Sequence, residues 1–252
     1  MPPRIVQARG KSMDRITIFD KNIPQIGLFS RNTPKGEEYA MVSEFIDYYC
    51  CKFLRDNRKN NLAVFIEPRI ASGFPDVVFA SFLPSITDTW NDCRKNIDVN
   101  DLKILSFLLQ GGGATGTQLL SSLKMPERQT LISLEKLLDA RLIYYKKQQW
   151  HPRDVRSIFS IKKLVSIEAK IGDVSKVMEQ SYINTWFASH SYALTSAIKP
   201  QSETIRAFSQ RGIGLYCKGK TFHKVVDASR LTLPSSYQSL QFNEWIGNRL
   251  AT

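Results

Sequence analysis

Two short stretches, far apart in the chain, hold the residue types on which phosphate chemistry depends. Residues 73–79 read Gly-Phe-Pro-Asp-Val-Val-Phe, and residues 164–170 read Leu-Val-Ser-Ile-Glu-Ala-Lys. Both are runs of β-branched and aromatic residues, the composition of a strand, and each carries one acid. Side chains alternate on a strand, so Glu168 and Lys170 share a face while Ala169 turns to the other. An acid and a lysine at a strand end, met by a second acid, Asp76, from a neighbouring strand, form an oxygen site for a hard divalent cation. Mg²⁺ is the expected ion, with Mn²⁺ as a substitute. Such an ion lowers the pKa of a water, binds phosphate oxygens and meets the leaving alkoxide of a phosphodiester. Asp76 and Glu168 are the expected carboxylate ligands, with the Ala169 carbonyl and a further acid completing the set. Lys170 is expected to orient the attacking water and stabilise charge on phosphorus, or to act as a base if its amine is free.

At these residues the chain resembles the PD-(D/E)xK nucleases, the restriction-endonuclease-like superfamily. Pro75-Asp76 and Glu168-Ala169-Lys170 follow that pattern literally. The resemblance implies an α/β fold with a mixed sheet flanked by helices, and metal-dependent hydrolysis of DNA. It implies an acid on the first helix that completes the metal site. It also implies a glutamine on the helix after the lysine, which falls at Gln180. It covers roughly residues 36–82 and 157–226.

The elements that must position these groups can be read from periodicity. A helix is expected over 36–55, where Val42, Phe45, Ile46, Tyr49 and Phe53 recur on one face. Glu38 lies on that same face and Glu44 on the opposite side, which favours Glu38 as the first-helix acid, because a carboxylate on the core side needs a positive partner. A glutamate-rich first turn is also what the helix dipole favours, so a solvated turn is the competing reading. Strands are expected over 61–67 and 76–82, joined as a hairpin, with Asp76 entering beside the turn. Taken alone, Asp76 is a turn residue. Residues 157–169 return to the sheet, Asp173 caps a helix over 174–189, and a strand follows at 190–197. A helix at 201–210, strands at 212–217 and 222–226, and a short helix at 241–250 close the chain. This order predicts a mixed sheet covered on both faces.

Asp76 and Glu168 are 92 residues apart, so a module must be inserted between their strands. Helices are expected at 99–109, 115–123 and 127–140, the last with Leu131, Leu134, Leu137 and Leu138 at helical spacing, and then a hairpin through Trp150. This order resembles a winged helix-turn-helix, whose third helix enters the major groove and whose wing tracks the backbone. The implied DNA contacts are Arg128, Gln129, Thr130 and Ser133 on the helix, and Lys146, Lys147, Gln148 and Gln149 on the wing. The same arrangement also serves protein docking. The expected division is therefore a core in two parts, 1–92 and 157–252, a basic arm over 1–35, and an insert over 97–153. The arm is expected to carry short strands at 15–19 and 26–29.

Charge agrees with a polyanionic partner. The 252 residues carry a net charge of +12, and residues 141–163 hold seven basic residues against one acid, half of that surplus. Nucleic acid is favoured over a membrane. The four cysteines lack metal-ligand spacing, a reduced and cytoplasmic pattern, and neither a leader peptide nor a membrane span is expected. His151, His190 and His223 are scattered singly, which disfavours zinc, and Gly111–Gly113 is not followed by a phosphate-loop lysine. The leading expectation is a DNA endonuclease, working as a homodimer or within a larger complex because double-strand cutting needs two sites. The alternatives are a DNA-binding or assembly protein on a nuclease-like scaffold, and a nuclease subunit of a transposition or phage-defence machine.

Overall fold

The structure is a computed structural model and describes residues 13–31, 36–88 and 90–251. Arg4, Arg9 and Lys11 of the basic arm, with Pro2, Pro3 and Pro34, lie outside the described residues. In chain order the elements are β1 (Ile16–Phe19), α1 (Glu37–Asp56), β2 (Asn61–Ile66), β3 (Val77–Phe82), α2 (Val99–Gly111), α3 (Gly116–Leu123), α4 (Glu127–Asp139), β4 (Ile143–Lys146) and β5 (Gln149–Pro152). They continue with α5 (Val155–Ile158), β6 (Ile161–Lys170), α6 (Val174–Asn184), β7 (His190–Thr195), α7 (Ser202–Gln210), β8 (Gly214–Lys218), β9 (Phe222–Val226) and α8 (Tyr237–Leu250). Two compact units result. One takes the chain up to Ile23, Leu28–Pro84 and Lys162–Leu233; the other takes Pro24–Gly27, Ser85–Ile161 and Pro234–Thr252.

The first unit is α/β, built on a seven-stranded mixed sheet in the order β1-β2-β3-β6-β7-β8-β9. β1 runs parallel to β2, and β6, β7 and β8 are parallel to one another. The pairs β2–β3 and β8–β9 are antiparallel. β6 is central, and its residues 164–169 are all buried, as a strand covered on both faces must be. On one face α1 lays Met41, Val42, Phe45, Ile46 and Phe53 against Val165, Ile167 and Ala169. On the other, Val177 of α6 and Phe208 of α7 pack with Ala193, Leu215 and Cys217. Phe45 is the hub of the first layer, with the rings of Phe79, Tyr216 and Phe222 at 6.3, 5.0 and 5.1 Å.

The expected strand at 26–29 is absent. Ile23 and Leu28 exchange backbone bonds of 2.8 and 3.2 Å around a 3-10 turn, and Gly27 takes φ 69°. Pro24 fixes the turn entry and glycine supplies the left-handed residue.

The second unit contains three helices and a hairpin in the expected order. Each of the first two helices opens on a capping box: Asp98 with Asp101, and Thr115 with Gln118. The hairpin β4–β5 turns through Lys147 and Gln148, both at positive φ (50° and 60°). That is the pair of left-handed residues a two-residue hairpin loop needs. Pro234–Thr252 also belongs to this unit, so the expected core segment 157–252 is cut short at its end. Helix α8 contributes Glu244, which meets Arg94 through Nε–Oε2 and Nη2–Oε1 bonds of 2.9 and 2.5 Å, both side chains buried. The Trp90 ring covers that guanidinium at 3.7 Å and lies where a side chain at Gly247 would have to go. Among the described residues no helix is long and apolar enough to cross a membrane.

Candidate active site

The β2–β3 hairpin carries Asp76 to the end of β6. Glu67 follows β2 with φ 44°, a sparsely populated conformation for glutamate, and its N–H donates to the Asp76 carbonyl at 3.0 Å. This closes the mouth of the hairpin one residue before β3 begins. Because β3 neighbours β6, the Asp76 carboxylate then lies against that strand, and its Oδ2 accepts the Ala169 N–H at 2.7 Å. Asp76 is thereby fixed to the residue that separates Glu168 from Lys170.

Glu168 is 4 % exposed. Its Oε1 accepts from Asn184 Nδ2 at 2.7 Å, at the last turn of α6. Lys170 has the same strand parity but goes elsewhere. At the strand end its long side chain reaches the first turn of α1, where Nζ donates to Glu38 Oε2 at 2.6 Å. Glu44 instead pairs with Lys218 at 2.7 Å, away from these groups. A cavity of about 250 Å³ opens over the cluster, lined by Arg31, Glu38, Tyr39, Glu67, Asp76 and Lys170 among others. Arg31 Nε donates to Glu67 Oε2 at 2.5 Å.

The electrostatics follow from this crowding. Burial pushes the Asp76 carboxyl well above its ordinary range, and the charges of Glu67 and Glu38 add to the rise, against the Ala169 amide and Lys170. Burial raises Glu168 further, and Asp76 adds to it, against Asn184 and Lys170. Burial alone would lower Lys170, but the Glu38 hydrogen bond and the surrounding carboxylates more than reverse that, so its pKa is raised. A raised pKa favours the ammonium form of Lys170.

This donor set suits a divalent cation. Among the described residues Asp76, Glu168, Glu67 and Glu38 are met by Lys170 and Arg31, which leaves two negative charges unmatched there when all are ionised. Asp76 Oδ1 and Glu168 Oε2 make no hydrogen bond with a described residue. Uncommitted carboxylate oxygens and water are what Mg²⁺ takes, since it keeps much of its hydration. No cluster of three or more His, Cys, Asp or Glu poised for a metal occurs among the described residues, so the pair, backbone oxygen and water would have to share the work.

Other expected site residues lie elsewhere. Gln180 is on α6 one turn before Asn184, which is the residue that holds Glu168, and Gln180 Oε1 is buried without a partner. Thr130 and Ser133 are buried. Thr130 Oγ1 donates to the Pro126 carbonyl at 3.1 Å, and Ser133 Oγ accepts from Gln129 Nε2 at 3.5 Å. The inward stripe of α4 is Thr130, Ser133, Leu134 and Leu137, while Leu131 and Leu138 are exposed. Arg128, Lys146 and Lys147 are exposed and Gln129 partly so. Asn184, Glu67 and Arg31 were not legible as site residues. Only the acid at the end of β2 gave any signal, as a charge closing an apolar strand.

No protein-family model matches the chain, and no curated protein matches it. Among solved structures it is similar to the crystal structure of protein VC1899 from Vibrio cholerae, at 10 % identity over 86 % of this chain and 73 % of that one. The TM-score is 0.17, a likeness too slight to bear on fold or function.

Proposed function

We propose that the protein is a metal-dependent phosphodiester hydrolase acting on DNA, with a nuclease core of the restriction-endonuclease-like type and a winged-helix-like DNA reader inserted in it. The observation that carries this reading is the Asp76 carboxylate bonded to the Ala169 amide between Glu168 and Lys170, beneath an open cavity. When bound, a divalent cation would supply Lewis acidity and an acidified water at that place. Asp76 and Glu168 would hold it, each through the oxygen left uncommitted. Asn184 keeps Glu168 in one rotamer, and Glu38 keeps the Lys170 ammonium at the cavity wall. There the ammonium would stabilise the negative charge that grows on the phosphoryl oxygens. The exposed Arg128, Lys146 and Lys147 would bind phosphates of the duplex.

The test is incubation with supercoiled plasmid and Mg²⁺ or Mn²⁺. Nicking by the wild type that is lost in Lys170→Ala and in Asp76→Ala, with DNA binding kept, supports the reading. Binding without cleavage in either metal favours an assembly protein on an idle scaffold. Cleavage only after a second protein is added favours a subunit of a larger machine.

A further inference from the structure

The sheet unit contains a second cavity of about 340 Å³ that the proposed chemistry does not use. Its walls come from the second half of α1, the start of β6 and strands β7–β9, notably Tyr49, Lys52, Lys163, Tyr192, Tyr216 and Lys224. Lys163 and Lys170 are seven residues apart on β6, roughly 23 Å along a strand rising ~3.3 Å per residue. The cavity is thus at the opposite end of the strand from the acid pair.

Three features point to an anion. The first is charge. Among the described residues Lys52 and Lys163 make no ion pair, Lys224 is taken by Asp227, and the lining Asp56 is taken by Arg55. Desolvation lowers the Lys163 pKa, and the cations of Lys224, Lys52 and Arg230 lower it further against Asp227, although the residue as a whole is exposed. The second is unspent donors. Tyr216 is 5 % exposed, and neither its hydroxyl nor that of Tyr49 has a hydrogen-bond partner among the described residues. Both tyrosines line the cavity, where a hydroxyl can donate to a bound oxygen. The third is flat apolar wall. Tyr49 stacks on Phe79 at 4.0 Å, and Tyr192 lies 5.0 Å from Tyr216.

We infer that this cavity binds a phosphate monoester carried on a planar ring, of the nucleoside monophosphate class. The Lys52 and Lys163 ammoniums and the Tyr49 and Tyr216 hydroxyls take the phosphate, and the tyrosine rings take the base. The volume falls at the small end of ligand sites, roughly 300–1,000 Å³. The inference stands independently of the nuclease reading.

The test is isothermal titration of the full chain with AMP, inorganic phosphate and adenosine. AMP is expected to bind most tightly, phosphate more weakly, and adenosine not measurably. Lys163→Ala and Tyr216→Phe should each weaken AMP binding by about fivefold or more, the loss of one hydrogen bond or more, while Asp76→Asn leaves it unchanged. Tyr216→Phe removes a hydroxyl without a partner, so the melting temperature of the free protein should hold or rise, which separates lost binding from lost folding. The inference is overturned if neither AMP nor phosphate binds at millimolar concentration, or if adenosine matches AMP. It is equally overturned if both variants bind AMP as the wild type does, or if Asp76→Asn abolishes binding.

Discussion

Asn184→Ala isolates the support of the acid pair from the pair itself. Asn184 and Glu168 are 3 % and 4 % exposed, and the bond between them is 2.7 Å. A hydrogen bond to a buried charged group contributes about 1.5–3 kcal/mol. Its removal acts on the ionised form of Glu168, whose pKa burial and Asp76 already raise. A cation needs that ionised form, so the same free energy is taken from metal binding. At 1.4 kcal/mol per factor of ten, affinity should fall about 10–150-fold, in line with the roughly 10–100-fold typical of groups that orient metal ligands. Calorimetric Mn²⁺ titration near neutral pH in two buffers of different protonation enthalpy reads both affinity and proton release. Proton release per ion should rise in the variant, and raising the pH should recover much of the lost affinity. An unchanged Mn²⁺ affinity with unchanged proton release would refute the reasoning, because Asn184 would then not be setting the charge state of Glu168.

His190 has its pKa lowered to about 4 by burial and by Lys163, Arg230 and Lys224, against Asp227. The unfolded state then takes up its proton first, so the stabilisation is complete above the ordinary value of 6.5 and is lost as pH falls through about 4. For a half-buried ring this is about 1–2 kcal/mol after discounting for solvent screening. Urea melts between pH 7 and 4 should steepen through this window, and less so in His190→Gln. Phe45→Ala empties the centre of the aromatic layer and should cost about 3–5 kcal/mol in chemical denaturation. Replacing Lys146 and Lys147 by alanine should weaken duplex binding and reduce the salt slope by about 1–2. Thr130→Val, which changes an inward side chain, should leave that slope unchanged.

Much of the framework was legible because it rests on local pattern. The α1 face follows from helical spacing, and that spacing placed Glu38 on the side where Lys170 meets it. The alternation of β6 placed Glu168 and Lys170 at one strand end. Their destinations were not legible. Lys170 crosses to α1 because its side chain is long and the strand ends there, whereas Glu168 stays under α6. Asn184 rather than Gln180 meets it, a choice made by the packing of α6 on the sheet rather than by helical phase. Thr130 and Ser133 illustrate the opposite error. Polar residues near a helix start suggested a DNA surface, yet both side chains are buried within their own unit, Thr130 turned back to the Pro126 carbonyl. The place of α8 was also hidden, since the Arg94–Glu244 pair joins residues 150 apart in the chain.

Mn²⁺ binding followed by electron paramagnetic resonance puts the shared cation pocket to the most direct test. The wild type should show a strong site, and Asp76→Asn and Glu168→Gln should each abolish it while the melting temperature of the metal-free protein holds or rises, since each change removes a buried, mutually repelling charge. A site that survives in both variants, or wild-type protein that binds no Mn²⁺ at millimolar concentration, would contradict the account.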